Sequence, residues 1–345
     1  MKHQIYRLAG YIIGFIPFYA LFNSLKNNIC KKILFSALCL LLFFLSSCGA
    51  DKNTASPAKG YSVKDEFGYT LHFTEKPQRM VGTTASIEEV LVDLVPPQKI
   101  VAISKLSSDK EVSLIPEQAA KIKTKIPDRA SIETIVALHP DLVFMQIKGN
   151  QAMADTLSEM GIKVYRMQTP VTLPMIRDRI RNMSLAVGEP ERGDEVLRAL
   201  DAKVADVKKR TEKIPRDKRM KVLGFSSLGP TGSSTGLFHQ ICEESGVINA
   251  GALAGAEYAT KISDEQIIKV DPDIFIVTDD GPENDHGKVI VRNILADEAI
   301  KGVKAVKNRR FIYLKYRYKY ANSQYFGDAV TEIAKGAYPE LFKGG

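Results

Sequence analysis

The chain has 345 residues, with 48 Lys and Arg against 40 Asp and Glu. Residues 1–47 hold five of those cations and no acid, which leaves 43 basic against 40 acidic residues beyond them, a balance with no electrostatic footprint for nucleic acid. Three of the four cysteines lie at or before Cys48, so no disulfide framework is expected past it, and the 45% hydrophobic content suffices for two separate cores.

The first element is a targeting segment. Lys26 to Lys32 forms a positive stretch, Ile33 to Leu45 is uncharged, and Ser46-Ser47-Cys48-Gly49 comes next. This order of basic region, apolar core and small residues describes a secretory signal. The apolar run is short for a bilayer about 30 Å thick. Leu45-Ser46-Ser47-Cys48 resembles the lipobox of bacterial lipoproteins, which implies a diacylated Cys48 as the mature N-terminus. A second apolar run, residues 8–22, is interrupted by Pro17, and the expectation is that translation starts nearer residues 21–29. Residues 1–47 are thus read as the signal region and 48–60 as a lipidated, polar tether.

From Tyr61 the pattern alternates apolar strands with amphipathic helices, as in parallel α/β folds. Arg79-Met80-Val81 leads into Thr83-Thr84-Ala85-Ser86 and a helix carrying Ile87, Val90, Leu91 and Leu94. Strands are predicted at Ile100–Ile103, Leu142–Met145 and Ile162–Tyr165, within a first lobe at 61–171. Residues 172–214 show no strand signal. Ile176, Ile180, Met183 and Val187 keep a helical spacing up to Gly188-Glu189-Pro190, and Val196, Leu200, Val204 and Val207 continue it. Glu191–Lys213 is the longest uninterrupted helix expected, placed to bridge two lobes. The second lobe, 215–345, opens with the strand Lys221–Phe225 and closes with a helix over Ser323–Leu341.

One phrase occurs twice. Ser131-Ile-Glu-Thr-Ile-Val-Ala-Leu-His-Pro-Asp-Leu-Val-Phe returns 132 positions later as Ser263-Asp-Glu-Gln-Ile-Ile-Lys-Val-Asp-Pro-Asp-Ile-Phe-Ile. Each copy predicts a helix opened by a Ser cap, stopped before a proline and succeeded by a buried strand. The spacing far exceeds solenoid periods of about 20–50 residues, so it points to two lobes of similar construction. Each lobe presents a glutamate, Glu133 or Glu265, in the first helical turn.

Two α/β lobes joined by one long helix, behind a lipobox, resemble the helical-backbone (class III) substrate-binding proteins of ABC importers, which serve iron–siderophore, haem and cobalamin uptake. Besides the repeated phrase, the matching residues are Gly232-Ser-Ser-Thr-Gly236 with Leu237 to Asn249, and Ala337-Tyr-Pro-Glu-Leu-Phe342. The resemblance covers roughly residues 61–342. It implies two Rossmann-like lobes with a ligand cleft between them, and no enzymatic activity. It also implies a permease dimer with its ATPase as partner, and Glu133 and Glu265 as docking residues. An acid there also complements the helix dipole without any partner, worth about 0.3–1 kcal/mol. The implied ligand is a ferric siderophore, with haem or cobalamin as alternatives and no resident cofactor. A lipid-anchored, exported monomer is expected.

The resemblance implies these cleft candidates: Thr84, Ser86, Lys105, Gln146 and Lys148 on the first lobe, and Thr231, Ser233, Ser234, Tyr258, Arg317 and Tyr318 on the second. The Gly232–Gly236 loop comes after a strand and opens a helix, where its amides could hold an anion or simply be capped; it lacks the Lys of a P-loop. Phe311–Tyr320 alternates, which as a strand puts Lys315, Arg317 and Lys319 on one face and Tyr316, Tyr318 and Tyr320 on the other. As an edge strand its cations would discourage aggregation; in the cleft, Arg317 would meet an anionic chelate. The histidines His72, His139, His239 and His286 show no metal-ligand spacing. A surface hydrolase would need a nucleophile with its base, and a nitrogenase-like domain a Cys cluster; neither is visible. An adhesin would need no permease.

Overall fold

Short apolar runs become buried parallel strands here, and the helices that return the chain cover both faces of the sheets. The computed structural model describes residues 60–110, 112–226, 229–257, 262–279 and 286–343. The signal region, the tether, Cys48 and Tyr258 lie outside them. Among the described residues no helix is long and apolar enough to cross a membrane.

An antiparallel hairpin opens the first lobe, β1 (Tyr61–Lys64) and β2 (Thr70–Phe73), with the Tyr61 and Phe73 rings stacked at 5.0 Å. Then come β3 (Met80–Gly82), α1 (Ala85–Leu94), β4 (Ile103–Ser104), β5 (Lys125–Ile126), α2 (Ile132–Ala137), β6 (Leu142–Gln146), α3 (Gln151–Glu159) and β7 (Lys163–Met167). The ladders β3–β6–β7 and β4–β5 are parallel, and a bridge between Met80 and Ile100 brings the second beside the first. The spatial order is therefore β5-β4-β3-β6-β7. It runs outward from β3 in both directions, so the chain reverses between β3 and β6. Open α/β sheets bind ligands outside the carboxyl ends of strands at such a reversal.

Two helices come next, α4 (Leu173–Ala186) and α5 (Pro190–Thr211). They turn at Gly188 (φ 73°) and then pack so closely that a Cβ on Gly193 would fall 2.2 Å from Ser184 Oγ. Val196, Leu197, Leu200, Val204 and Val207 bury one stripe of α5, while cations and acids such as Lys203 and Asp201 take the outer side. α5, at 22 residues, is the longest described helix. One apolar cluster runs from Met80 and Leu91 through Ile180 and Leu200 to Ile276 and Phe326, so the bridging helices join the two lobes' interiors.

The second lobe repeats the plan with β8 (Lys221–Ser226), β9 (Gly229–Thr231), α6 (Leu237–Glu244), β10 (Ile248–Asn249), α7 (Asp264–Val270), β11 (Ile274–Asp279), α8 (His286–Ala296), β12 (Phe311–Lys315) and α9 (Phe326–Ala337). Its parallel order is β10-β8-β11-β12, with β9 folded back antiparallel on β8. The reversal falls between β8 and β11, matching β3 and β6. Cys242 on α6 is buried and its thiol is pushed up by burial, so it stays protonated.

The repeated phrase has one structure in both lobes. Ser131 Oγ accepts from Thr134 N at 3.3 Å and Ser263 Oγ from Gln266 N at 3.4 Å. Gln266 completes a capping box by accepting from Ser263 N. Each helix ends in a non-glycine residue with φ 47°, His139 or Asp271, immediately before the proline. The left-handed conformation costs such residues roughly 1–2 kcal/mol, a cost offset by the hydrogen bonds of the aspartate after each proline. Asp141 accepts from Gln78 N (2.7 Å) and Arg79 N (3.0 Å), and Asp273 accepts from Lys221 N (2.8 Å). In each lobe the Pro-Asp step thus pins the entry of β6 or β11 to the entry of its neighbour, β3 or β8.

The segment Phe311–Tyr320 corrects the sequence expectation. β12 ends at Lys315 because its partner β11 ends at Asp279, the last register pair, and without a ladder the chain folds into a single helical turn, Tyr316–Lys319. The cations therefore share no face: Lys315 is exposed, while Arg317 and Lys319 are buried. The final helix is also shorter than expected, with α9 giving way to a 3-10 turn at Pro339–Phe342.

Candidate functional site

A cleft of about 780 Å³ opens where the first lobe's sheet reverses. Its floor is the end of β3 with the start of α1, from Val81 to Ser86 together with Glu88. Ser104 and Leu106 lie at the end of β4 and just beyond it, the loop from Ile126 to Ser131 forms one wall, and Met145, Gln146, Lys148 and Asn150 lie at and beyond the end of β6. The second lobe contributes Arg317, Tyr320 and Asn322.

Of the sequence candidates, Thr84, Ser86, Gln146, Lys148 and Arg317 are brought together in this lining. Lys105 is not, although both its neighbours are: capped by Ser104, it opens a single helical turn and is exposed. Thr231, Ser233 and Ser234 also lie outside the lining. β9 pairs back onto β8, and the loop after it is tied down by Asn249, whose Nδ2 donates to Ser233 O at 3.0 Å. That loop opens α6 through Gly236, which caps without a side chain. Tyr318 packs against the shared apolar cluster instead.

Three buried charged groups at the site were not singled out from sequence. Glu88 is 1% exposed and accepts from Ser104 N (2.7 Å), Ser104 Oγ (2.7 Å) and Ser107 Oγ (2.5 Å). Burial raises its carboxyl above the usual glutamate range, and those hydrogen bonds hold it partly back. Glu89, its neighbour, faces the other way. It accepts from Arg317 Nη2 at 2.6 Å and Nε at 3.2 Å and from Ser323 Oγ at 2.6 Å, and Gln324 Nε2 reaches Asp93 Oδ2 at 2.9 Å. This polar latch ties α1 to the second lobe beneath the cleft. Arg317 thus lines the cleft with its charge already matched by Glu89, where the sequence led us to expect a cation free for ligand.

The third group is Arg179 on α4, with no measurable exposure. Nη1 donates to Ser86 Oγ at 3.2 Å and Nη2 to Gln168 O at 2.6 Å. Burial lowers its pKa to about 10, while Glu66 and Glu89 favour its charge from a distance. Its spacing was the available signal: Arg179 stands three residues after Ile176 and four before Met183, inside the apolar stripe. Glu88 and Glu89 offered none, since their partners are distant in sequence. Among the described residues no carboxylate comes within ion-pair distance of the lining cations Arg129 and Lys148, both exposed. No group of three or more His, Cys, Asp or Glu gathers among the described residues.

Two lobes with matched reversals, a long bridging helix and a cleft between them are the architecture of a substrate-binding protein. The sequence profile described as periplasmic binding protein matches residues 81–318, and the chain belongs to that family. Among its relatives is an uncharacterised ABC transporter substrate-binding lipoprotein, YvrC of Bacillus subtilis, 22% identical over 321 residues and covering 90% of this chain and 98% of that one. Similar solved structures include the periplasmic heme-binding protein RhuT from Roseiflexus sp. RS-1 in apo form, at TM-score 0.65 and 22% identity over 76% of this chain and 99% of that one. The molybdate-bound MolA of Haemophilus influenzae superposes at TM-score 0.67 and 19% identity, over 82% of this chain and 93% of that one.

Proposed function

We propose that this chain is the lipid-anchored receptor of an ABC importer, capturing a ferric siderophore in the interlobe cleft and delivering it to the permease. The observation that carries the reading is the cleft: about 780 Å³, within the range of about 300–1,000 Å³ for small-molecule sites and far larger than a bare oxyanion needs. Hydroxyls, amides and the cations Arg129 and Lys148 line it, suited to the oxygen-rich surface of a chelate. Mass spectrometry and an ultraviolet–visible spectrum of the material that co-purifies test this directly. Titration with ferric catecholates, ferric hydroxamates, haem and cobalamin then decides the class; binding of haem or cobalamin alone would sink the siderophore reading.

Delivery uses Glu133 and Glu265. Each is the second residue of its helix, exposed, and held below the usual carboxylate range by its Ser cap and its own amide, so both are ionised and available to permease arginines. Replacing both by Ala should abolish uptake while ligand affinity stays within about threefold, a change below about 1 kcal/mol. Loss of ligand binding instead would assign them to the fold. Anchoring falls to Cys48: Cys48→Ser should leave an unprocessed or unanchored product, visible by mass and membrane fractionation.

A further inference from the structure

We infer that the cleft floor is an oxyanion-accepting subsite, built from Thr83, Thr84 and Ser86 at the start of α1 and polarised from behind by the buried guanidinium of Arg179. This deepens the receptor reading and rests on the cleft being the place where ligand binds. The group it would take is an electron-rich oxygen, either a catecholate or carboxylate arm of a chelate or a free oxyanion.

Four observations meet at this point. Arg179 is fully buried, yet among the described residues no carboxylate lies within ion-pair distance of it, and its Nε has no acceptor. A cation in that position is costly unless something negative compensates it. Its Nη1 does not end in the core but donates to Ser86 Oγ, a hydroxyl of the cleft lining. Having accepted from the guanidinium, Ser86 keeps its own proton to donate. Thr84 Oγ1 lies 3.3 Å from it and also lines the cleft; with Ser86 as the donor of that pair, the polarisation passes along two hydroxyls to a guest. Chains of this kind strengthen each donor in turn.

The backbone and the next side chain add to this. α1 is ten residues long, and Thr84 caps it without a side-chain hydrogen bond. Among the described residues the amides of Ala85 and Ser86 have no acceptor, the first bonded ones being Ile87 and Glu88 to Thr84 O. The helix dipole and these free amides favour negative charge at the same spot. Thr83 Oγ1 is buried there and has no partner among the described residues. The floor therefore has donors of three kinds, and its one acid, Glu88, is turned to Ser104 and Ser107, while Glu89 is held by Arg317. Arg179 is a positioning residue in this scheme; Thr83, Thr84 and Ser86 make the contact.

The test is isothermal titration of the full chain and its Ser86→Ala, Ser86→Thr and Arg179→Gln forms. The probes are an anionic ferric catecholate, a neutral ferric hydroxamate and molybdate. Ser86→Ala should weaken the catecholate at least fivefold and the hydroxamate less than twofold, and Ser86→Thr should restore the difference. Arg179→Gln should show the same split; where it fails to fold, Ser86→Ala decides alone. Equal weakening of both chelates, or none, overturns the subsite while the receptor reading stands. Binding of molybdate alone, weakened by Ser86→Ala, keeps the subsite and overturns the chelate reading. Wild-type protein that takes only the hydroxamate, or none of the probes, overturns the subsite.

Discussion

Around the first lobe's sheet the interior holds Asp65, Glu88, Glu89, Arg166 and Arg179, all buried, whereas the second lobe packs Phe225 against Phe275 at 4.9 Å and Phe275 against Phe311 at 5.9 Å. The buried cations described in the second lobe, Arg317 and Lys319, sit on the turn that brings Arg317 to the cleft. Buried charge needs partners and fixed geometry to be tolerated; aromatic packing needs only shape. The contrast separates two jobs inside one repeated plan. Of the first lobe's buried charges Glu88 lines the cleft and Glu89 holds the second lobe, while aromatic and aliphatic side chains fill the second lobe's own cluster.

The largest effects should come from the two extremes of this contrast. Phe275→Ala should lower the unfolding free energy by about 3–5 kcal/mol, as for other buried aromatics cut to Ala, measured by urea denaturation. Glu89→Ala should cost a similar amount, about 3–5 kcal/mol, because it strands the Arg317 guanidinium. The double replacement Glu89→Leu with Arg317→Met should recover most of that loss; a double variant as unstable as Glu89→Ala would mean that the latch stabilises by more than mutual neutralisation.

A middle-sized effect tests what the lobes share. Asp141→Ala and Asp273→Ala each free backbone amides at the entry of a central strand, and each should cost about 1–3 kcal/mol. Asp141 accepts from two amides and Asp273 from one, so the first change should be the more damaging. Hydrogen exchange would show it as lost protection at the entry of β3.

The smallest effect is a slope. Burial raises the Glu88 carboxyl, so the folded chain holds a proton there at pH values where the unfolded chain has lost it. Its contribution is therefore complete below the ordinary glutamate range and is lost as pH rises through the raised value. Glu88→Gln should flatten that part of the stability profile, at and above the ordinary glutamate range. Glu66 and Asp93, raised by the same cause, leave a residual slope of the same sign.

The parts of the molecule legible in its sequence are those whose causes are local. The Ser caps, the stop before Pro140 and Pro272, the buried strands after them and the stripe of α5 are all dictated by neighbours within a few positions. The turn at Tyr316–Lys319 was not legible, because Lys-Tyr-Arg-Tyr-Lys satisfies a strand's alternation as well as a turn. The end of β11, more than thirty residues earlier, decides between them. Glu89 and Arg317 are 228 residues apart, and nothing near either announces the pairing. Lys148 and Gln146 were recoverable as cleft residues since they stand at a strand end; Arg129, in a loop without pattern, was not.

The 22-residue bridge extends about 33 Å at 1.5 Å per residue, and its buried stripe is packed by helices of both lobes. A bridge packed from both sides resists a wide hinge motion between the lobes that carry Glu133 and Glu265. Under the docking scheme proposed for these acids, a permease then meets empty receptors as readily as loaded ones. Unloaded copies become competitors for the importer, and uptake should pass through a maximum, then fall, as receptor is overproduced at fixed, scarce ligand. Import rate against receptor-to-permease ratio would reveal that optimum.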